Sequence, residues 1–256
     1  MYRSYILLLV LLAFAIVAKS QFKFEYTYTQ LDTTDLLVIY KLRWKSDTNN
    51  PEYSRTSEMY LFLGKKISLF QSKNTYITDT IFKSIKNIDQ MRAYGRNPNN
   101  PIAAFHYKIY KNYPYKKLSF IEHVPSNTFL YEEELNIFNW QLHPDTSTIN
   151  GHLCQKATMS YAGRNYTSWF CHQIPYSDGP YKFTGLPGLI VKIYDDRQHY
   201  VFELKSIEKA SPSHKIELKD KEYLVTTKEK FFKAKDGFYN DILNRAKAAE
   251  FPTETQ

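Results

Sequence analysis

Apolar and polar residues alternate with a period of two along much of this chain, and that period is the mark of half-buried strands. Phe22, Phe24, Tyr26 and Tyr28 alternate with Lys23, Glu25, Thr27 and Thr29, which predicts a strand over 22–30. A second apolar run over 36–44 is its expected partner, followed by a polar turn over 47–51. Segments 59–63 and 67–70 read as a hairpin around Gly64, Lys65 and Lys66, and 105–110, 117–123 and 129–133 as further strands, while 135–140 fits a strand or a helix. In the middle the period lengthens: Ile81, Ile85, Ile88 and Met91 fall on one face of a helix predicted over 78–93, with Gly95 as its stop. A second helix is predicted over 227–249, capped by Thr226 and Glu229, with Phe231, Phe238, Ile242, Ala246 and Ala249 near one stripe. The mixed charge of its polar side favours docking on the sheet over lying on a membrane.

Two hairpins carry a definite register. Strands over 153–161 and 164–174, joined by Ala162 and Gly163, place Cys154 opposite Cys171. A disulfide there would close a loop of about 16 residues and add roughly 3 kcal/mol; two buried free thiols, or a register slipped by two residues, are the alternatives. Further on, Pro187 and Gly188 suit the central positions of a type II turn, because proline presets φ and glycine tolerates the positive φ that follows. That turn would launch a strand from Leu189. With a loop at 195–198, Ile193 pairs with Tyr200, Val191 with Phe202 and Leu189 with Leu204, giving one apolar face, and Ile190, Lys192 and Tyr194 lie on the other.

The first twenty residues read as an export signal: Arg3, an apolar run from Ile6 to Val17, then Ala18, Lys19 and Ser20 as a cleavage site. The run is shorter than the roughly 20 residues that span a bilayer. The expected organisation is therefore a signal peptide over 1–20 and a single β-rich domain over 21–256. Removing Arg3 and Lys19 lowers the formal charge from +8 to about +6, and the remaining bases are interleaved with acids. A solvated surface explains that pattern, and nucleic-acid binding is not expected.

Trp140, Ile149-Asn150-Gly151, Cys154, Ala157, Gly163-Arg164, Trp169-Phe170, Ile174-Pro175, Asp178-Gly179-Pro180 and the hexapeptide Gly185, Leu186, Pro187, Gly188, Leu189, Ile190 occur in that order. On these residues the chain resembles the GLPGLI family of small exported proteins of Bacteroidota, a family without an established activity. The resemblance is densest over 140–207. The same order of Trp, Ile, Gly, Cys, Gly-Arg and Ile-Pro is remotely similar to periplasmic lipid and lipoprotein carriers, whose curved half-barrels close over a helix and hold apolar ligands. The fold this implies is mainly β (α+β): a curved antiparallel sheet or half-barrel with a middle and a C-terminal helix.

Catalytic chemistry is not evident. None of the 7 histidines stands in an H-x-x-x-H or H-E-x-x-H spacing. Cys171 and His172 are adjacent and would point to opposite faces of a strand. No G-x-S-x-G is present, so no metal, cofactor or catalytic residue is expected. The chain holds 22 Tyr, 17 Phe and 3 Trp, and rings of this density suit ligand-lined cavities and interfaces as well as strands. The expected function is a non-enzymatic binding or accessory protein of the cell envelope, periplasmic or outer-membrane-associated, not transmembrane. Its expected partner is an apolar ligand such as a lipid, a peptide, or an outer-membrane protein. The rivals are an envelope enzyme built from Asp178, His172 or Glu133, and a purely structural assembly subunit.

Overall fold

Strand β1 (Tyr28–Lys45) organises the molecule. A computed structural model describes residues 24–45 and 53–250. The signal segment, Phe22, Lys23 and the 47–51 turn lie outside the described residues, as do the side chains of Ala246 and Ala249. Of the strand predicted over 22–30 only 28–30 are strand, with 24–27 irregular, and these residues run without a break into the strand predicted over 36–44. The first half of β1 pairs with β12 (Lys215–Lys219), and its second half lies between β2 (Ser54–Gly64) and β11 (Tyr200–Lys209). A bulge between Gln30 and Asp32 shifts the register where the partners change.

From β1 the sheet runs outward in both directions. One arm continues through β2, β3 (Ser68–Ser72), β4 (Lys108–Lys111), β5 (Lys117–Val124), β6 (Asn127–Glu134) and β13 (Leu224–Val225). The other passes through β11, β10 (Leu189–Asp195), β9 (Arg164–Cys171), β8 (His152–Tyr161) and β7 (Gln141–Ile149). Among the described residues only the short β13–β6 pair is parallel. The result is the large, curved, open antiparallel sheet expected from the alternating pattern.

Because successive side chains on a strand point to opposite faces, β1 feeds two cores. Val38, Tyr40 and Leu42 join the main cluster on one face, with Phe70, Phe120, Phe170, Leu189 and Ile193. Leu37 and Ile39 join a smaller cluster on the other face, with Phe62, Tyr110 and Ile216, covered in part by Tyr76.

The middle helix is two helices. Helix α1 (Lys73–Ser84) is capped by Ser72, whose hydroxyl accepts from Thr75 N at 3.0 Å. Helix α2 (Ile88–Arg96) is capped by Asn87, whose side chain accepts from Gln90 N at 2.9 Å. The break falls at Ile85, which is extended and buried, so the periodic isoleucines do not share one face. Asn87 supplies the physical reason, since its side chain satisfies an N-terminal amide better than it continues a helix.

Helix α3 (Lys228–Glu250) forms near the C-terminus as expected, but its cap is Thr227, whose hydroxyl accepts from Lys230 N, one residue later than predicted. No helix among the described residues is long and apolar enough to cross a membrane, which says nothing about crossing with strands.

Candidate functional site

The segment 172–188 between β9 and β10 folds onto the face that carries the main core and is fixed at several points. Asp178 is its main anchor: its carboxylate accepts from Gly179 N at 2.7 Å, from Ser68 Oγ on β3, and from Lys111 Nζ on β4. Lys111 is 2% exposed, and burial is the largest influence on it, pulling its pKa below the ordinary lysine value against the attraction of Asp178. Lys182, also buried, pairs with Glu133 on β6 and donates to Tyr131 Oη at 2.9 Å. Burial pushes Lys182 down to about 8 while Glu133 opposes the shift. Trp140 Nε1 donates to Thr184 O at 2.8 Å and closes the far side.

The hexapeptide completes this clasp. Leu186, Leu189 and Ile190 are buried in the main core, whereas Gly185 and Pro187 are exposed. The expected type II turn is instead a γ-turn about Pro187: Gly188 N donates to Leu186 O at 2.8 Å, and Leu189 N turns away to Ile174 O at 3.0 Å. Gly188 has φ +146°, and a Cβ there would overlap the carbonyl of Cys171. Glycine is demanded twice over, by the dihedral and by the approach of the β9 end.

Downstream, the β10–β11 register is two residues from the expected one. Ile193 pairs with Phe202 and Tyr194 with Val201, because Asp195 belongs to the strand and not to the turn. Its carboxylate accepts from Tyr200 N at 2.7 Å and from Arg164 Nη1 at 2.8 Å, which ties it to both neighbouring strands. The apolar face survives a shift of two, but Ile190 joins the core as well, since the β10–β9 register slips between Ile190 and Lys192.

The β8–β9 register is as expected, with Gln155 opposite Phe170 and Tyr161 opposite Arg164, so Cys154 faces Cys171. The bridge is not made, and both cysteines are buried free thiols. Cys154 Sγ is turned to the carbonyl of His152 at 3.2 Å, and burial, reinforced by Cys171, pushes this thiol up to about 11.

Above the clasp lies a cavity of about 390 Å³. Its walls come from separate parts of the chain: the segment 104–107 before β4, Phe120 and Glu122 on β5, Arg164 and Tyr166 on β9, Tyr181 and Phe183 in the clasp, and the facing strands β10 and β11. The rings pack edge and face against one another, Tyr107 lying 5.4 Å from Phe120 and 5.7 Å from Tyr181, and Tyr166 lying 5.1 Å from Phe183. Two larger clefts, of about 630 and 670 Å³, are more open to solvent.

Phe232, Lys235 and Tyr239 of α3 form the remaining wall. The helix is held by its first two turns. Phe231 is fully buried between Phe120, Phe129 and Tyr131, and Lys228 and Lys235 pair with Glu133 and Glu122, each at 2.7 Å. Of the predicted stripe, Phe231 is buried and Phe238 packs half-buried against the main core, whereas Ile242 is 45% exposed; off the stripe, Tyr239 and Leu243 are 50% and 56% exposed.

The three groups considered for catalysis do not converge. Asp178 is engaged by Lys111, Glu133 by Lys182 and Lys228, and His172 is exposed, with Nε2 at 2.8 Å from Gln155 Oε1. Among the described residues no group of three or more His, Cys, Asp or Glu side chains is placed to hold a metal ion.

Residues 161–192 match the model of a family described as "Protein of unknown function (Porph_ging)". The matched segment contains Arg164, the clasp and the whole hexapeptide, and it is consistent with a Bacteroidota family. No curated protein matches the chain. Among solved structures the chain is similar to PNGF-II in two crystal forms. In the P21 form the TM-score is 0.54 at 12% identity, covering 78% of this chain and 32% of that one. In the C2 form the TM-score is 0.55 at 13% identity, covering 80% and 33%. The chain thus spans about a third of PNGF-II, and at this identity the likeness concerns the fold alone.

Proposed function

We propose that this chain is a GLPGLI-type exported protein of the cell envelope that acts as a non-enzymatic binding protein, taking an apolar ligand into the cavity beneath α3. The observation that carries this reading is the ring-lined cavity of about 390 Å³, whose size falls in the range of roughly 300–1,000 Å³ typical of small-molecule sites. Its cover is a helix docked at one end, which suits a site that must admit and release an occupant. Export rests on the apolar run and cleavage site within 1–20. A second reading, docking of an outer-membrane protein or a peptide, draws on the exposed Tyr239, Ile242 and Leu243 of α3.

Native mass spectrometry of protein purified gently from the envelope tests the first reading. The expected spectrum contains the polypeptide with an apolar small-molecule adduct. That adduct disappears in Ala104→Trp, which places an indole at the exposed cavity mouth. Bare polypeptide from wild-type cells would count against the ligand, and an adduct retained by Ala104→Trp would count against this cavity.

A further inference from the structure

Arg164 is the first residue of β9, following the Ala162-Gly163 tip, and it is the one guanidinium on the cavity wall. Its Nη1 donates to Asp195 Oδ2 at 2.8 Å and to His199 Nδ1 at 3.1 Å. A guanidinium only donates, so His199 Nδ1 is the acceptor of that contact. Asp195 is fully buried, and its other oxygen is occupied by Tyr200 N at 2.7 Å. One edge of Arg164 is thereby locked in place. Among the described residues nothing accepts from its Nε or Nη2, so a planar fork of donors is left on a side chain that lines the cavity, is 33% exposed and lies 5.7 Å over the Tyr200 ring. Such a fork matches the two oxygens of a carboxylate in geometry and charge. Elsewhere on the same wall stands Glu122, 6% exposed, with Oε1 paired to Lys235 and Oε2 without a hydrogen-bond partner. A second acidic group on the ligand would meet that carboxylate.

We propose that Arg164 reads the head group of the ligand, and that the cavity takes a monocarboxylic acid with an apolar body. The proposal rests on the cavity reading above and narrows it to one chemical class. Calorimetric titration of the whole mature protein with decanoate, decanol and decanedioate tests it, using the wild type, Arg164→Gln and Arg164→Lys. Wild type is expected to hold decanoate at least about tenfold more tightly than decanol, as a charge-assisted bidentate contact implies. Decanedioate should bind less tightly than decanoate. Arg164→Gln should bring decanoate down to the affinity of decanol. Arg164→Lys keeps a cation beside Asp195 if the glutamine variant does not fold, and it should lose most of the preference because the fork is gone. Equal binding of decanoate and decanol by wild type, or a preference that survives in the folded Arg164 variants, overturns the head-group assignment alone. Failure of wild type to bind any of the three overturns it together with the cavity reading.

Discussion

The clasp over 172–188 and helix α3 both lie against the main core, yet they are held in opposite ways. The clasp is bound by two buried lysine–carboxylate pairs and by glycines with no room for a side chain. Gly179, for example, faces Ile190, and an added Cβ would come within 2.8 Å of it. Helix α3 is anchored by the buried Phe231, the half-buried Phe238 and two partly exposed lysines, and beyond them it leaves Ile242 and Leu243 in water. The difference separates frame from cover. The segment that carries the family resemblance builds the floor of the cavity, and the helix that closes the cavity is the more lightly held part.

If the clasp is frame, its substitutions should cost most. Gly188→Val forces a β-branched residue to φ +146° against the Cys171 carbonyl, and a loss of at least about 4 kcal/mol is expected in chemical denaturation. Unchanged stability would remove the close-approach argument. Asp178→Ala leaves Lys111 buried without its charge partner and with only the Gly179 carbonyl to donate to, with an expected cost of roughly 3 kcal/mol, and Asp178→Ala with Lys111→Met should recover much of it. A double variant no more stable than the single one would show that packing, not charge, governs this site.

A pH titration sharpens the contrast at the point where clasp and helix meet. Burial pushes the Glu133 carboxyl up, but Lys182 and Lys228 outweigh it and hold it below its ordinary value of 4.5. A carboxyl with a lowered folded-state pKa stabilises the fold above its unfolded value and loses that contribution as pH falls through the lower folded value. The melting temperature should therefore decline below pH about 4.5, and Glu133→Gln should flatten that decline by a few degrees. Parallel curves would detach Glu133 from acid stability. The smallest effect belongs to the cover: Gly237 lies within α3 with nothing near its missing Cβ, so Gly237→Ala should stabilise by at most about 1 kcal/mol. A destabilised variant would mean that α3 bends at this glycine.

The sheet was legible because its period of two extends over so many segments, and the β8–β9 register followed from a two-residue tip that admits one pairing. The β10–β11 register was not, because Asp195 reads as a turn residue until Arg164 and Tyr200 N are brought to its carboxylate. The same physics hid the break at Ile85, where periodic isoleucines suggest one helix and the Asn87 side chain starts another. Lys111 and Lys182 gave no signal, since lysine is rarely buried and their acidic partners are distant in sequence. The cavity was legible only as an excess of rings; its walls come from segments that nothing in the linear order groups together.

The central claim is that α3 covers a ligand cavity on a rigid floor, and hydrogen–deuterium exchange of the protein with and without decanoate tests it most directly. The expected result is slower exchange along 228–243 when the ligand is present, with 174–190 already protected and unchanged. Exchange along α3 that ignores the ligand, or a clasp that exchanges as fast as the helix, would contradict the account.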